Sequence, residues 1–228
     1  MWFSSLASLQ DKYEGTLPKL AYERLHRANL TTKEAFPIAE SRCQFDAMAA
    51  QNVSDGRDLT VVSCWFTGSD ASDYMWQTYV PDSHGVVIHS TVARLNAAFM
   101  IGGGFVGASQ LGRVEYVDFE TLDLPEHVAS DSGHRSFLKH QTFQDEREIR
   151  LATMNIVTPG CLNPDGSPCS AKQASGIGAS QPGRTGLFVR CDLRVLIERV
   201  VVCPLARPHF HDLIRRLVTR YKLPVEVV

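Results

Sequence analysis

The stretch Phe143-Gln144-Asp145-Glu146-Arg147-Glu148-Ile149-Arg150 sets three acids and two arginines directly before the apolar run Leu151-Ala152-Thr153-Met154. In a strand, successive side chains point to opposite faces, so Glu146, Glu148 and Arg150 share one face while Arg147, Ile149 and Leu151 share the other. The two carboxylates then stand about 7 Å apart with an arginine beside them. Such a pair can position a hydroxyl or raise one carboxyl pKa, and the arginine can hold an anion or keep Glu148 ionised. The same spacing also describes the solvated, salt-bridged face of an ordinary strand, where ion pairs are worth little.

Other residues invite chemistry less strongly. Ser90 and Thr91 end the apolar run GVVIHS and precede the helical TVARLNAAF. Their hydroxyls, with the free N–H groups of a helix start, can receive a phosphate or ribose oxygen, or can simply cap the helix. Trp76 and Tyr79 can wall an aromatic ligand or belong to the core. The run Gly102-Gly103-Gly104 fits neither phosphate-loop pattern. His209 and His211 are two apart at a helix start and splay to different sides, which makes them poor co-ligands. The six cysteines are scattered without a CxxC and read as reduced, although Cys161 and Cys169 flank a loop and leave a disulfide open. No metal is expected.

The elements that must position these residues follow from periodicity. LTVVSCWF, GVVIHS, GRVEYVDF, TGLFVRCDL, ERVVVCPL and PVEVV read as strands. PKLAYERLHRANL, KEAFPIAESRCQFDAMAA, SDASDYMWQTYV, TVARLNAAF, GHRSFLKHQTF and a short LRVLI read as helices. The last helix, RPHFHDLIRRLVTRYKL, is expected to bury Phe210, Leu213, Ile214, Leu217 and Tyr221. The Gly/Ser/Pro-rich segment at about 158–184 has no apolar period and reads as a flexible insertion. Residues 1–228 are therefore expected to form a single α+β domain with a mixed, mostly antiparallel sheet flanked by helices.

Composition sets the outer bounds. The chain has 228 residues, 44% hydrophobic and 21% charged, with a formal charge of −2 and a pI near 6.4. No global basic field argues for nucleic acid or an anionic membrane, so any such binding must be local. No apolar run approaches the roughly 18 residues of a membrane span, and MWFSSLASLQDKYEG lacks the pattern of a secretory signal. A cytoplasmic protein with no membrane partner is expected.

The pieces DKYEGTLP, VSCWF, MWQTY, GVVIHST, GRVEYVDF, FLKHQTFQDEREIR and RVVVCPLA, in that order, resemble the bacterial family called domain of unknown function 2971. The resemblance runs from about Asp11 to the C-terminus, and it rests on the combination of SCW, MW-x-x-Y, G-[IV]-x-I-x-S-T and K-x-x-x-F-x-x-E-x-E-x-R, each piece of which is weak alone. Members usually have a further opening strand with a Tyr/Arg-rich stretch, and a few residues after the final strand, neither of which is present here. The segment from Pro159 to Gly183 looks like an insertion.

The resemblance implies a fold more than a reaction. A looser analogy is with ADP-ribosyltransferases, which use an early-strand arginine, a Ser-Thr strand end and a Gln/Glu-x-Glu turn. By that analogy NAD is the substrate. Glu148 binds the nicotinamide-ribose hydroxyl and polarises the acceptor, and Glu146 positions the acceptor. Ser90 holds the nicotinamide side, with Thr91, Arg150 and Trp76 as further NAD-binding candidates. The acceptor, protein or nucleic acid, is left open, as is the oligomeric state. Fold-level analogy alone is a weak warrant for function. Two alternatives therefore stay open: a non-catalytic defence- or stress-associated binding module, and a metal-dependent nuclease using Glu146, Glu148 and Asp118.

Overall fold

A computed structural model of the chain describes residues 1–24, 56–68, 73–101, 109–129, 131–154 and 186–228. Its strands are β1 (Trp2–Ser5), β2 (Thr60–Phe66), β3 (Val86–His89), β4 (Ser109–Arg113), β5 (Glu115–Val117), β6 (Leu138–His140), β7 (Glu148–Met154), β8 (Gly186–Phe188), β9 (Arg199–Val202) and β10 (Glu226–Val227). Its helices include α1 (Asp73–Tyr79), α2 (Val92–Ile101), α3 (Glu126–Ala129), α4 (Ser132–Arg135), α5 (Leu193–Leu196) and α6 (Pro208–Arg220), with 3-10 turns at Leu6–Ser8 and Gln141–Glu146. The fold is α+β, with mixed and mostly antiparallel sheets, as the periodicity implies. The chain gathers into two compact units, one of residues 2–67 and 107–188, the other of residue 1, 68–106 and 189–228.

The first unit carries a five-stranded sheet in the order β4-β7-β2-β1-β8, antiparallel throughout. Val61, Val62 and Phe66 on β2 favour extended backbone, because branched and aromatic side chains pack well on a pleated surface. The β2–β7 ladder runs unbroken from Thr60 opposite Met154 to Phe66 opposite Glu148. On one face Val62 and Ala152 pack with Leu6, and Leu9 and Phe137 lean on them. A smaller parallel pair, β5–β6, sets Tyr116 opposite Lys139. Leu138 points into a second cluster with Ala21, Phe119, Leu124 and Ala129.

The second unit carries the three-stranded sheet β10-β9-β3, parallel on one side of β9 and antiparallel on the other. Leu95, Ala98 and Phe99 of α2 are buried in this unit, as are Leu196, Val200 and Val202. Among the described residues, no helix is long and apolar enough to cross a membrane.

Several local expectations are corrected. GHRSFLKHQTF is not a helix. Asp131 caps the four-residue α4 through Gly133 N, Ser136 Oγ donates back to the Gly133 carbonyl, and the chain then turns into β6. Burial of Leu138 and the ladder to β5 outweigh helix propensity there. GRVEYVDF breaks at Val114, whose N–H donates to the Glu148 carbonyl at 3.0 Å, so β4 and β5 belong to different sheets. The helix α6 is present, but Leu213, Leu217 and Tyr221 are exposed, because its half-buried stripe runs through Phe210, Ile214 and Val218 instead. β1 was not anticipated from periodicity. The helix expected from PKLAYERLHRANL is described only over residues 19–24, while KEAFPIAESRCQFDAMAA and the segment at 158–184 lie outside the described residues.

One turn in this unit depends on glycine. Gly15 has φ +73°, and a Cβ there would stand 2.9 Å from Leu6 Cδ1 and 3.0 Å from Arg57 Cγ. A side chain in the left-handed region costs roughly 1–2 kcal/mol before any clash is counted. Gly15→Ala is therefore expected to lower unfolding free energy by at least about 1 kcal/mol in urea titration, and an unchanged midpoint would contradict the role given to this turn.

Candidate active site

Three of the five charges of FQDEREIR do not face water, while Asp145 and Arg147 are exposed. Glu146, Glu148 and Arg150 are 6%, 7% and 0% exposed, so the solvated-face reading is overturned. The strand period does not account for all of them, because β7 begins only at Glu148. Glu146 ends the 3-10 turn, and Arg147, at φ 39° and ψ 56°, is left-handed. Glu146 therefore reaches Glu148 through a reversal of the backbone. Both Thr67 N and Thr67 Oγ1 donate to the Arg147 carbonyl, at 2.9 and 2.6 Å, and so pin that reversal.

Glu14 and Lys139 complete the cluster. Lys139 Nζ lies 2.6 Å from Glu146 Oε2, 3.2 Å from Glu148 Oε1 and 3.4 Å from Glu14 Oε1. Arg150 donates from Nε to Glu148 Oε2 at 2.8 Å and from Nη1 to the Ser136 carbonyl at 2.9 Å. Its Nη1 also stands 2.7 Å from Glu14 Oε2 and its Nη2 2.6 Å from Glu148 Oε2, close charge contacts whose angles fall outside hydrogen-bond geometry.

Each member is held by a local device. Asp11 is buried and accepts from Tyr13 N and His140 N, at 2.9 and 3.0 Å, which brings the segment carrying Glu14 onto β6. Tyr13 stacks against both Phe119 and His140, whose rings also stack on each other. Tyr116 Oη accepts from Glu148 N at 2.8 Å and fixes the start of β7. Arg150 lies opposite Gly112 in the β4–β7 ladder, and Phe137 occupies the space a side chain at Gly112 would fill, its Cε1 3.0 Å from a built Cβ. The ring of Phe137 therefore covers the ladder position opposite Arg150.

Three carboxyls face two cations here, so full ionisation would leave one unbalanced buried negative charge. The carboxyls respond differently. Burial pushes Glu14 up, and Arg150 and Lys139 offset it only in part. Burial also pushes Glu146 up beyond what Lys139 restores, and the charge of Glu148 adds to the rise. For Glu148 burial acts in the same direction, but Arg150 and Lys139 outweigh it and hold the carboxyl below its ordinary value. The two neighbouring carboxyls are thus driven apart, Glu146 above and Glu148 below the ordinary glutamate value. Lys139 is raised, because three carboxyls outweigh its burial.

Ser90, Thr91 and Trp76 lie in the other unit. Ser90 Oγ donates to the Leu196 carbonyl at 2.6 Å, and Thr91 Oγ1 accepts from Arg94 N at 3.2 Å, the bond of a helix N-cap. Trp76 is half-buried in α1. Cys64, Cys191 and Cys203 are free, and Cys64 is exposed on β2 opposite Arg150. Asp118 is spent on the turn after β5, accepting from Glu120 N at 2.9 Å. Among the described residues, no group of three or more His, Cys, Asp or Glu side chains is placed to hold a metal ion.

Sequence reasoning on faces found Glu146, Glu148 and Arg150 but missed Glu14, Lys139 and Tyr116. All three stand in motifs already quoted: DKYEGTLP contains Glu14, GRVEYVDF contains Tyr116, and the strand-length FLKH sets a lysine among apolar neighbours. Comparisons of the chain with protein-family models, with curated proteins and with solved structures find no match.

The split within the carboxyl pair gives a sign to pH and mutation. Glu148, held below its unfolded value, contributes stability that is present above that value and lost as pH falls through the folded pKa. Glu146, raised, contributes stability present below its unfolded value and lost as pH rises through the folded one. Glu148→Gln is expected to destabilise the fold at pH 7 by about 3–5 kcal/mol, since it leaves buried cations short of a partner. Glu146→Gln, which resembles the protonated acid, is expected to match or exceed wild-type stability at pH 7 and to flatten the decline of stability above pH ~4.5. Urea unfolding at several pH values measures both, and equal losses in the two variants would contradict the split.

Proposed function

We propose that this chain is an NAD-using ADP-ribosyltransferase-like enzyme of the cytoplasm, related to the domain of unknown function 2971 family, whose working groups are Glu148 and Glu146. The observation that carries the proposal is the buried carboxyl pair at the start of β7, in which Glu148 contacts both Lys139 and Arg150 and is held low while Glu146 contacts Lys139 alone and is raised. Paired titratable groups driven apart by their surroundings are a common basis for distinct acid and base roles.

Glu148, fixed by Arg150 and by Tyr116 at its backbone N–H, would bind the ribose hydroxyls and offset positive charge as the bond to nicotinamide lengthens. The C1′–nicotinamide bond breaks with its electron pair leaving on nicotinamide, the acceptor's nucleophilic atom bonds C1′, and the acceptor's proton passes to Glu148. Glu146, its carboxyl raised by burial, would orient the acceptor. Ser90 and Thr91 take no part in these steps, their hydroxyls being used within their own unit.

The closure of Glu148 between Lys139 and Arg150 favours a second reading, a non-catalytic binding module in which the cluster only braces the strand end. The metal-dependent nuclease is the least favoured, because the Lys139 ammonium stands among Glu14, Glu146 and Glu148, where a cation would be needed.

Nicotinamide release from NAD separates these. Wild-type protein is expected to consume NAD, and Glu148→Gln, assayed under conditions where circular dichroism shows it folded, to lose at least about a hundredfold in kcat, the scale of one lost charge-stabilising group. No NAD consumption by wild type, or equal turnover by a folded Glu148→Gln, would reject the enzyme and leave the binding module.

A further inference from the structure

Between the two glutamates stands a residue that the catalytic roles leave unused. Arg147 is exposed, and among the described residues no acid pairs with it. Its guanidinium carbon lies 4.7 Å from the centre of the Phe66 ring. Phe66 is directly opposite Glu148 in the β2–β7 ladder, so its ring starts from the same face of the sheet as the Glu148 carboxyl. The backbone beneath is fixed in the left-handed region by the paired hydrogen bonds from Thr67.

We propose that Arg147 and Phe66 form a phosphate subsite beside the carboxyl pair, and that the ligand of this site is a phosphorylated ribose compound. A guanidinium stacked on an aromatic ring keeps its plane fixed and its N–H edge open, which suits bidentate contact with a phosphate. A non-glycine residue in the left-handed region is uncommon and costs free energy, so an exposed arginine held there by two hydrogen bonds is not explained by packing. The neighbouring cluster does not repel an anion strongly. Two cations, Lys139 and Arg150, stand among its three carboxyls and offset most of their charge. Glu148 at the strand start supplies the complementary half, acceptors for ribose hydroxyls. This half rests on the function proposed above; the phosphate half rests on Arg147 and Phe66 alone.

The test is calorimetric titration with ADP-ribose, ribose 5-phosphate and unphosphorylated ribose at low salt. Wild-type protein is expected to bind both phosphorylated compounds and to bind ribose at least about tenfold more weakly, the scale of one charge-assisted contact. Arg147→Gln should weaken ADP-ribose by about tenfold or more. Arg147→Gly should do the same while melting at or above the wild-type temperature, because glycine occupies this backbone conformation without strain. That pairing of lost affinity with retained stability is what a purely structural arginine would not produce. The proposal is overturned if wild type binds no phosphorylated ribose compound, if ribose binds as well as ribose 5-phosphate, or if both variants keep wild-type affinity. Arg147-dependent binding without NAD consumption would uphold the subsite and reject the transferase. NAD consumption with unchanged ADP-ribose affinity in both variants would do the reverse.

Discussion

The ammonium of Lys139, enclosed by Glu14, Glu146 and Glu148, is the contact on which this part of the fold depends. Taking an ion out of water costs several kcal/mol, and the cost is recovered only where opposite charges and hydrogen bonds meet it in good geometry. The segment at Asp11–Gly15, β6, the 3-10 turn and the start of β7 therefore have to converge. Arg150 repeats the condition one step deeper, reaching Glu14, Glu148 and the Ser136 carbonyl from a fully buried position. Asp11, Tyr116 and Thr67 are the uncharged-partner side of the same arrangement: each fixes backbone that carries a charged member or its neighbour.

A cluster of this kind is not automatically stabilising. Well-packed apolar residues often replace buried ion networks without loss. What the network does provide is a difference between two adjacent carboxyls that share strand end and solvent. Glu148 is enclosed by both cations, whereas Glu146 touches only one. The excess of acids over cations then falls on the carboxyls with less compensation. Two adjacent carboxyls shifted in opposite directions are the result.

Much of the sheet is legible from residue types. The β-branched and aromatic run of β2, the short strands β3 and β9, and the helix opening after Thr91 all follow from local preference. The site is legible only in part. Alternation correctly puts Glu148 and Arg150 on one face, but Glu146 joins them through the left-handed Arg147, and no period predicts such a reversal. Whether a charged face is buried is a tertiary property. It is decided here by Phe137, Glu14 and Lys139, which come from other parts of the chain. The same limit explains α6, whose helical spacing was clear while the stripe it turns inward was not.

The most direct test of this account is a side-chain carboxyl titration by NMR on protein carrying ¹³C-labelled glutamate, with Glu146→Gln and Glu148→Gln used to assign the signals. An ordinary glutamate titrates near ~4.3. The account predicts that Glu148 titrates below that value and Glu146 above it, with each curve moving when the other residue is replaced. Independent titration of both near the ordinary value, or Glu148 above Glu146, would contradict it.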